Sequence, residues 1–134
     1  MIVVDANLIA YAVLPGDRTD EALAVLERDA EWVAPVLWQS EVRNVLATTM
    51  RVKGLRYEEA LGAWEKARGL VVDVPTPTDT PRVLRLAAES KASAYDCEYI
   101  AVAEALAVAF VTSDGRLARR FPRQAKHLAD FLRG

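Results

Sequence analysis

Four short apolar runs, Ile2-Val3-Val4, Trp32-Val33-Ala34, Leu70-Val71-Val72-Asp73-Val74 and Ala109-Phe110-Val111-Thr112, alternate with segments whose apolar residues recur at helical spacing. This alternation limits the fold more than any other feature of the chain. Runs so short read as buried strands, and parallel neighbours need crossover connections, which the helical segments supply. The pattern predicts an α/β fold, a three-layer α/β/α sandwich with a central parallel sheet of four or five strands. Thr19 or Asp20 is expected to cap a helix with Ala22, Leu23, Leu26 and Ala30 on one face. A longer helix from about Leu37 turns Val42, Val45, Leu46 and Thr49 inward, and Tyr57 to Ala67 does the same with Ala60, Leu61, Trp64 and Ala67. Thr80 before Pro81 reads as an N-cap opening a helix that carries Leu84, Ala87 and Ala88. Tyr95 to Val108 is almost wholly apolar and reads as a central helix. Ala125 to Leu132 fits a strand or a helix equally.

At 134 residues the chain is expected to form a single domain, 1–134. The Pro-rich stretch Pro75-Thr76-Pro77-Thr78-Asp79-Thr80-Pro81 is too short to separate two and reads as a connection. The single cysteine, Cys97, has no partner for a disulfide, and neither a CxxC pair nor a Cys/His cluster is present, so a reducing cytoplasm fits best. No basic leader or apolar run of about 18 residues predicts export or a membrane anchor. The net charge of −2 conceals an asymmetry: residues 1–114 hold 11 Lys+Arg against 18 Asp+Glu, whereas the last twenty hold 6 against 1. Arg116, Arg119, Arg120, Arg123 and Lys126 thus begin a basic tail directly after Asp114. Such a tail is a solvated surface or a phosphate-binding one, and a neighbouring metal site favours the second.

Asp5 and Asp114 stand where apolar strands end, the edge at which open α/β sheets bind ligands. Glu41 lies in the first turns of its helix and Asp96 at the start of the central one. Each has an innocent explanation: Asp5 and Asp96 as helix caps, Asp114-Gly115 as a turn, Glu41 as a solvated acid favoured by the helix dipole. Taken together the innocent readings are less comfortable. Right-handed crossovers bring the ends carrying Asp5 and Asp114 to one edge. Carboxylates gathered there repel one another unless they share a proton or bind a hard cation. An all-oxygen donor set favours Mg2+ or Mn2+ over zinc or copper and implies phosphodiester hydrolysis by water.

The blocks Val3-Val4-Asp5-Ala6-Asn7, Ser40-Glu41-Val42-Arg43-Asn44-Val45-Leu46, Tyr95-Asp96-Cys97-Glu98-Tyr99-Ile100-Ala101 and Val111-Thr112-Ser113-Asp114 resemble, in order and approximate spacing, the four signature blocks of the PIN domain family. Size and compactness look most like the VapC toxins of toxin–antitoxin pairs. The resemblance implies a five-stranded sheet, with the fifth strand near Ala125 to Leu128. It also implies a magnesium-dependent endoribonuclease that cleaves single-stranded RNA and is inhibited by a small cognate antitoxin. Asp5, Glu41, Asp96 and Asp114 would be the catalytic acids, binding Mg2+ (or Mn2+) directly or through water. Asn7 and Thr112 match polar positions that support them, Asn7 by orienting Asp5 and Thr112 by hydrogen-bonding across the site. Arg43 and Arg116, close in sequence to Glu41 and Asp114, are the candidates for contacting substrate phosphate. A homodimer is expected because the family usually pairs, and because the apolar residues near Trp38, Val42 and Trp64 exceed what one small sheet obviously covers.

Within the same fold, a nuclease of RNA maturation or quality control is an alternative that the residues do not separate from a toxin. A phosphatase with Asp5 as nucleophile is disfavoured, because that chemistry places a second Asp where Asn7 stands and no well-placed lysine follows. His127, Cys97 and the three tryptophans read as structural.

Overall fold

The strands run in the order β3-β2-β1-β4-β5, all parallel, in the computed structural model, which describes residues 1–75 and 77–134. They are β1 (Ile2–Val4), β2 (Trp32–Ala34), β3 (Val71–Asp73), β4 (Phe110–Thr112) and β5 (Ala125–His127). The expected architecture is therefore present, with five strands. The ambiguous C-terminal segment divides into β5 and the short helix α8 (Leu128–Arg133). Thr76, within the Pro-rich connection, lies outside the described residues.

The chain leaves β1 in one direction through α1 (Ala6–Val13), α2 (Thr19–Arg28), β2, α3 (Trp38–Lys53), α4 (Tyr57–Leu70) and β3. It returns through α5 (Thr80–Ser90) and α6 (Ala94–Leu106) to β4 on the opposite side of β1, then passes α7 (Gly115–Arg120) to β5. Reversing direction while keeping right-handed crossovers sends the two groups of helices to opposite faces. Accordingly α1 packs on α2, α3 and α4, while α5 packs on α6, which lies against β1 and β4. The reversal leaves a crevice beyond the C-terminal ends of β1 and β4, the usual ligand position in such sheets.

The core is closed by Trp32, Trp38, Phe110, Leu8, Ile9, Ile100 and Leu128, all fully buried. Cys97 is buried on α6, as expected of a small core residue. Trp38 stacks on Trp64 with ring centroids 5.5 Å apart, and its indole N–H donates to Asp73 at 2.7 Å. Trp38 and Val42 are thus satisfied inside the protomer and supply no dimer face.

Three helices differ in part from the sequence expectation, although Leu26, Trp64 and Ala87 pack against the core as expected. In α2 the buried residues are Ala22 and Val25, with Leu23 exposed and Ala30 beyond the helix end. In α5 they are Val83 and Leu86, with Leu84 exposed. In α4 they are Ala60, Ala63 and Ala67, with Leu61 exposed, because small residues admit the close packing of α4 on α1 and α3. The caps move too. Asp79, not Thr80, caps α5 by accepting from Arg82 N, and Thr19 is already the first residue of α2, its hydroxyl donating back to Leu14 O.

Candidate active site

The parallel register pairs Val4 with Val111, so Asp5 follows β1 at the level of Thr112. The Thr112 hydroxyl, fully buried, donates to Asp5 Oδ2 and accepts the backbone N–H of Asp114 at 3.0 Å. Asp5 Oδ2 also accepts from Ser113 N at 3.2 Å, and Oδ1 accepts from Leu8 N at 2.7 Å, capping α1. The cap reading of Asp5 therefore holds, and the same residue lines the crevice. One carboxylate follows the strand, starts the helix and borders the cleft. Asp114 follows the same logic, since its Oδ1 accepts from Arg116 N and Leu117 N to cap α7.

Glu41 and Asp96 reach the crevice from helices. Glu41, near the start of α3, accepts a 2.7 Å hydrogen bond from the hydroxyl of Tyr99. Asp96 lies three residues after Ser93, whose side chain caps α6 by accepting from Asp96 N at 3.0 Å. Asp5, Glu41, Asp96 and Asp114 together line one open cleft of about 580 Å3, with Asn7, Ser40, Asn44, Tyr95, Tyr99 and Leu117 among its other walls.

Withdrawal from water raises the pKa of Asp5 above the ordinary carboxylate value, against hydrogen bonds from Thr112, Leu8 and Ser113, and the charge of Asp114 adds to the rise. Burial likewise raises Glu41, with Asp96, Asp5 and Glu98 as repelling neighbours and the Tyr99 hydroxyl opposing. Asp96 is raised by burial and by Asp114, with Ser93 and Arg120 opposing. The Tyr99 hydroxyl is pushed far up by burial and by the surrounding carboxylates, which keeps it a donor at any ordinary pH. Among the described residues, no three acidic, His or Cys side chains approach closely enough to grip one metal ion together. The donor chemistry nevertheless suits a hard cation: every group is oxygen, and three are carboxylates whose charged form lacks full solvation.

The other expected residues fare differently. Thr112 hydrogen-bonds across the site. Asn7 lines the cleft with an exposed side chain, and Asp5 is oriented by Leu8 N, Thr112 and Ser113 N instead. Arg43 lies away from the acids, its guanidinium 4.7 Å from the centre of the Trp64 ring and within reach of Gln39. Two residues along a helix is about 200° of rotation, so Arg43 and Glu41 face apart. Arg116 supplies its backbone N–H to Asp114, and its side chain is exposed outside the cleft. The sequence alone assigns neither Tyr99, within its block, nor Arg120, within the basic tail, a role at the acids. Tyr99 was detectable, because three positions beyond Asp96 returns to the same side of a helix.

The chain is 30% identical over 125 residues to Ribonuclease VapC3 of Pyrobaculum aerophilum, an alignment spanning 90% of this chain and 95% of that protein. Its fold matches the crystal structure of PAE2754 from the same organism with a TM-score of 0.75, at 22% identity, covering 98% of this chain and 92% of that one. The PIN domain profile matches residues 2–121, which hold all four acids and all but the last strand. With these likenesses, and with its acids gathered at the switch point of a parallel sheet, the chain belongs to the PIN domain family.

Proposed function

We propose that this protein is a magnesium- or manganese-dependent endoribonuclease that cleaves single-stranded RNA, and that it is the toxin of a pair whose partner is a small cognate antitoxin. The convergence of Asp5, Glu41, Asp96 and Asp114 on one cleft carries the reading. The ribonuclease named among its relatives supports the choice of substrate. Magnesium binds through one or two carboxylates and keeps waters, which suits acids that line one cleft without closing on a single point. Asp5, Glu41, Asp96 and Asp114 would hold the cation, directly or through water. When bound, the ion supplies Lewis acidity toward the phosphate and a more acidic attacking water. Thr112 and Ser113 N keep Asp5 aimed, and Tyr99 fixes one oxygen of Glu41, leaving the other free to accept a proton or a water. The protein acts in the cytoplasm as a homodimer in this reading. The exposed apolar residues Val52, Tyr57 and Leu61 of α3 and α4 replace Trp38 and Val42 as groups left for a partner surface.

Incubation with total RNA, with magnesium or with EDTA, followed by sequencing of new ends, tests the proposal and identifies the target. New 5′-phosphate ends that vanish with EDTA are expected. Cleavage that survives chelation, or 2′,3′-cyclic phosphate products, would replace metal-assisted attack by water with attack by the ribose hydroxyl.

A further inference from the structure

Helix α7 separates two hollows of opposite character. Asp114 and Leu117 line the acidic cleft, whereas their neighbours Gly115, Ala118 and Arg119 line a shallow depression of about 850 Å3 that also includes Lys126, His127 and Asp130. Arg119 and Lys126 are exposed and join no ion pair among the described residues, while Asp130 is already paired with Arg133. A Cβ on Gly115 would stand 3.2 Å from Arg119 Nη1, so the bare backbone lets this guanidinium lie against the residue next to Asp114. His127 ends β5 in register with Thr112, and its Nδ1 accepts from Ala129 N. The proton of the neutral ring is then on Nε2, a donor.

We propose that this depression is the track for the phosphate backbone of single-stranded RNA flanking the bond to be cut, with Arg119 and Lys126 on phosphates and His127 Nε2 as a further donor. The inference rests on the nuclease reading above. A cleft of four carboxylates repels a polyanion, so affinity must come from cations beside it. A strand with one phosphate at Asp5 and Asp114 carries its next phosphates only a nucleotide or two away, and α7, a helix about 10–12 Å across, is what separates that point from the depression. An acidic protein segment lacks a group that must enter the carboxylate cleft, which makes RNA the better fit.

The test uses the full chain carrying Asp96→Asn to silence cleavage, and fluorescence anisotropy with a single-stranded RNA probe over a salt series. Adding Arg119→Ala and Lys126→Ala should weaken binding several-fold and reduce the slope of log affinity against log salt by about 1.4, the value for two lost phosphate contacts on a single strand. Arg51→Ala with Lys53→Ala, an equal loss of charge at the far end of α3, should leave both nearly unchanged. In the cleavage-competent chain the Arg119/Lys126 pair should raise KM and spare kcat. Unaltered affinity and slope would overturn the track while leaving the nuclease reading intact, as would an equal effect of the Arg51/Lys53 pair. Loss of polyglutamate binding with RNA binding intact would overturn it in favour of an acidic protein partner. A parent chain that neither binds nor cuts RNA would overturn both readings.

Discussion

Tyr99 shows how one hydroxyl tunes a cluster of like charges. It stacks on Phe110 with centroids 5.4 Å apart and donates to Glu41, so it offsets part of the burial that raises the pKa of that acid. Tyr99→Phe should keep the stack and lose only the donor. Weaker magnesium binding is expected, on the order of 10- to 100-fold as for other partners that orient a ligand, read from the shift of melting temperature with magnesium concentration. Unchanged magnesium affinity would make Tyr99 a core residue and nothing more. Asp96→Asn should lower cleavage by more than about 100-fold without unfolding the chain, because it removes a charge and keeps the shape. Turnover at the wild-type rate would remove Asp96 from the site. The acids were legible in the sequence because each sits at the boundary of an element, where a short apolar run or a helical period begins or stops. Arg43 misled because nearness in sequence is not nearness in space: its angle on α3 carries it to Trp64.

At the level of elements, order and type were legible and helical phase was less so. In α5 two apolar stripes compete, one through Leu84, Ala87 and Ala88 and the other through Val83, Leu86 and Ala87, and only packing against α6 selects the second. β5 was ambiguous for a similar reason, since pairing of Phe110 with Ala125 and Thr112 with His127 fixes a segment too short for a period of its own. Capping of α5 offers a direct check. Asp79 accepts from Arg82 N at 3.1 Å, whereas Thr80 is already helical. Asp79→Ala should cost about 1 kcal/mol of stability and Thr80→Ala markedly less, measured by urea unfolding of both variants. The reverse order would restore Thr80 as the cap.

For the whole molecule, the cleft makes stability depend on protons and magnesium in opposite directions. Asp5, Glu41 and Asp96 have folded pKa values above their ordinary 3.8 and 4.5, so at neutral pH their ionised forms destabilise the metal-free fold in full. As pH falls through those raised values, the folded state takes up protons before the unfolded one, and stability should rise. Asp73 and Glu104 behave oppositely. Partial burial works against ionisation of Asp73, but hydrogen bonds from Trp38 and Gln39 prevail and lower its pKa; the Arg82 ion pair lowers Glu104. Their contributions are lost as pH falls below the ordinary values. Melting temperature in EDTA should therefore pass through a maximum on the acid side of neutrality and then decline. Magnesium requires the ionised acids, so at pH 7 it should stabilise by about 2.7 kcal/mol at a hundredfold excess over Kd, and that increment should fade toward the pH of the maximum. Asp96→Asn should flatten both effects by raising the metal-free melting point at pH 7 and shrinking the magnesium increment. Melts of both proteins from pH 7 to pH 3 at constant ionic strength, with EDTA or with magnesium, separate the possibilities. A wild-type curve that falls steadily with acid and does not respond to magnesium would show four acids serving as caps and surface charge alone, and would remove the physical basis for a cation-dependent nuclease.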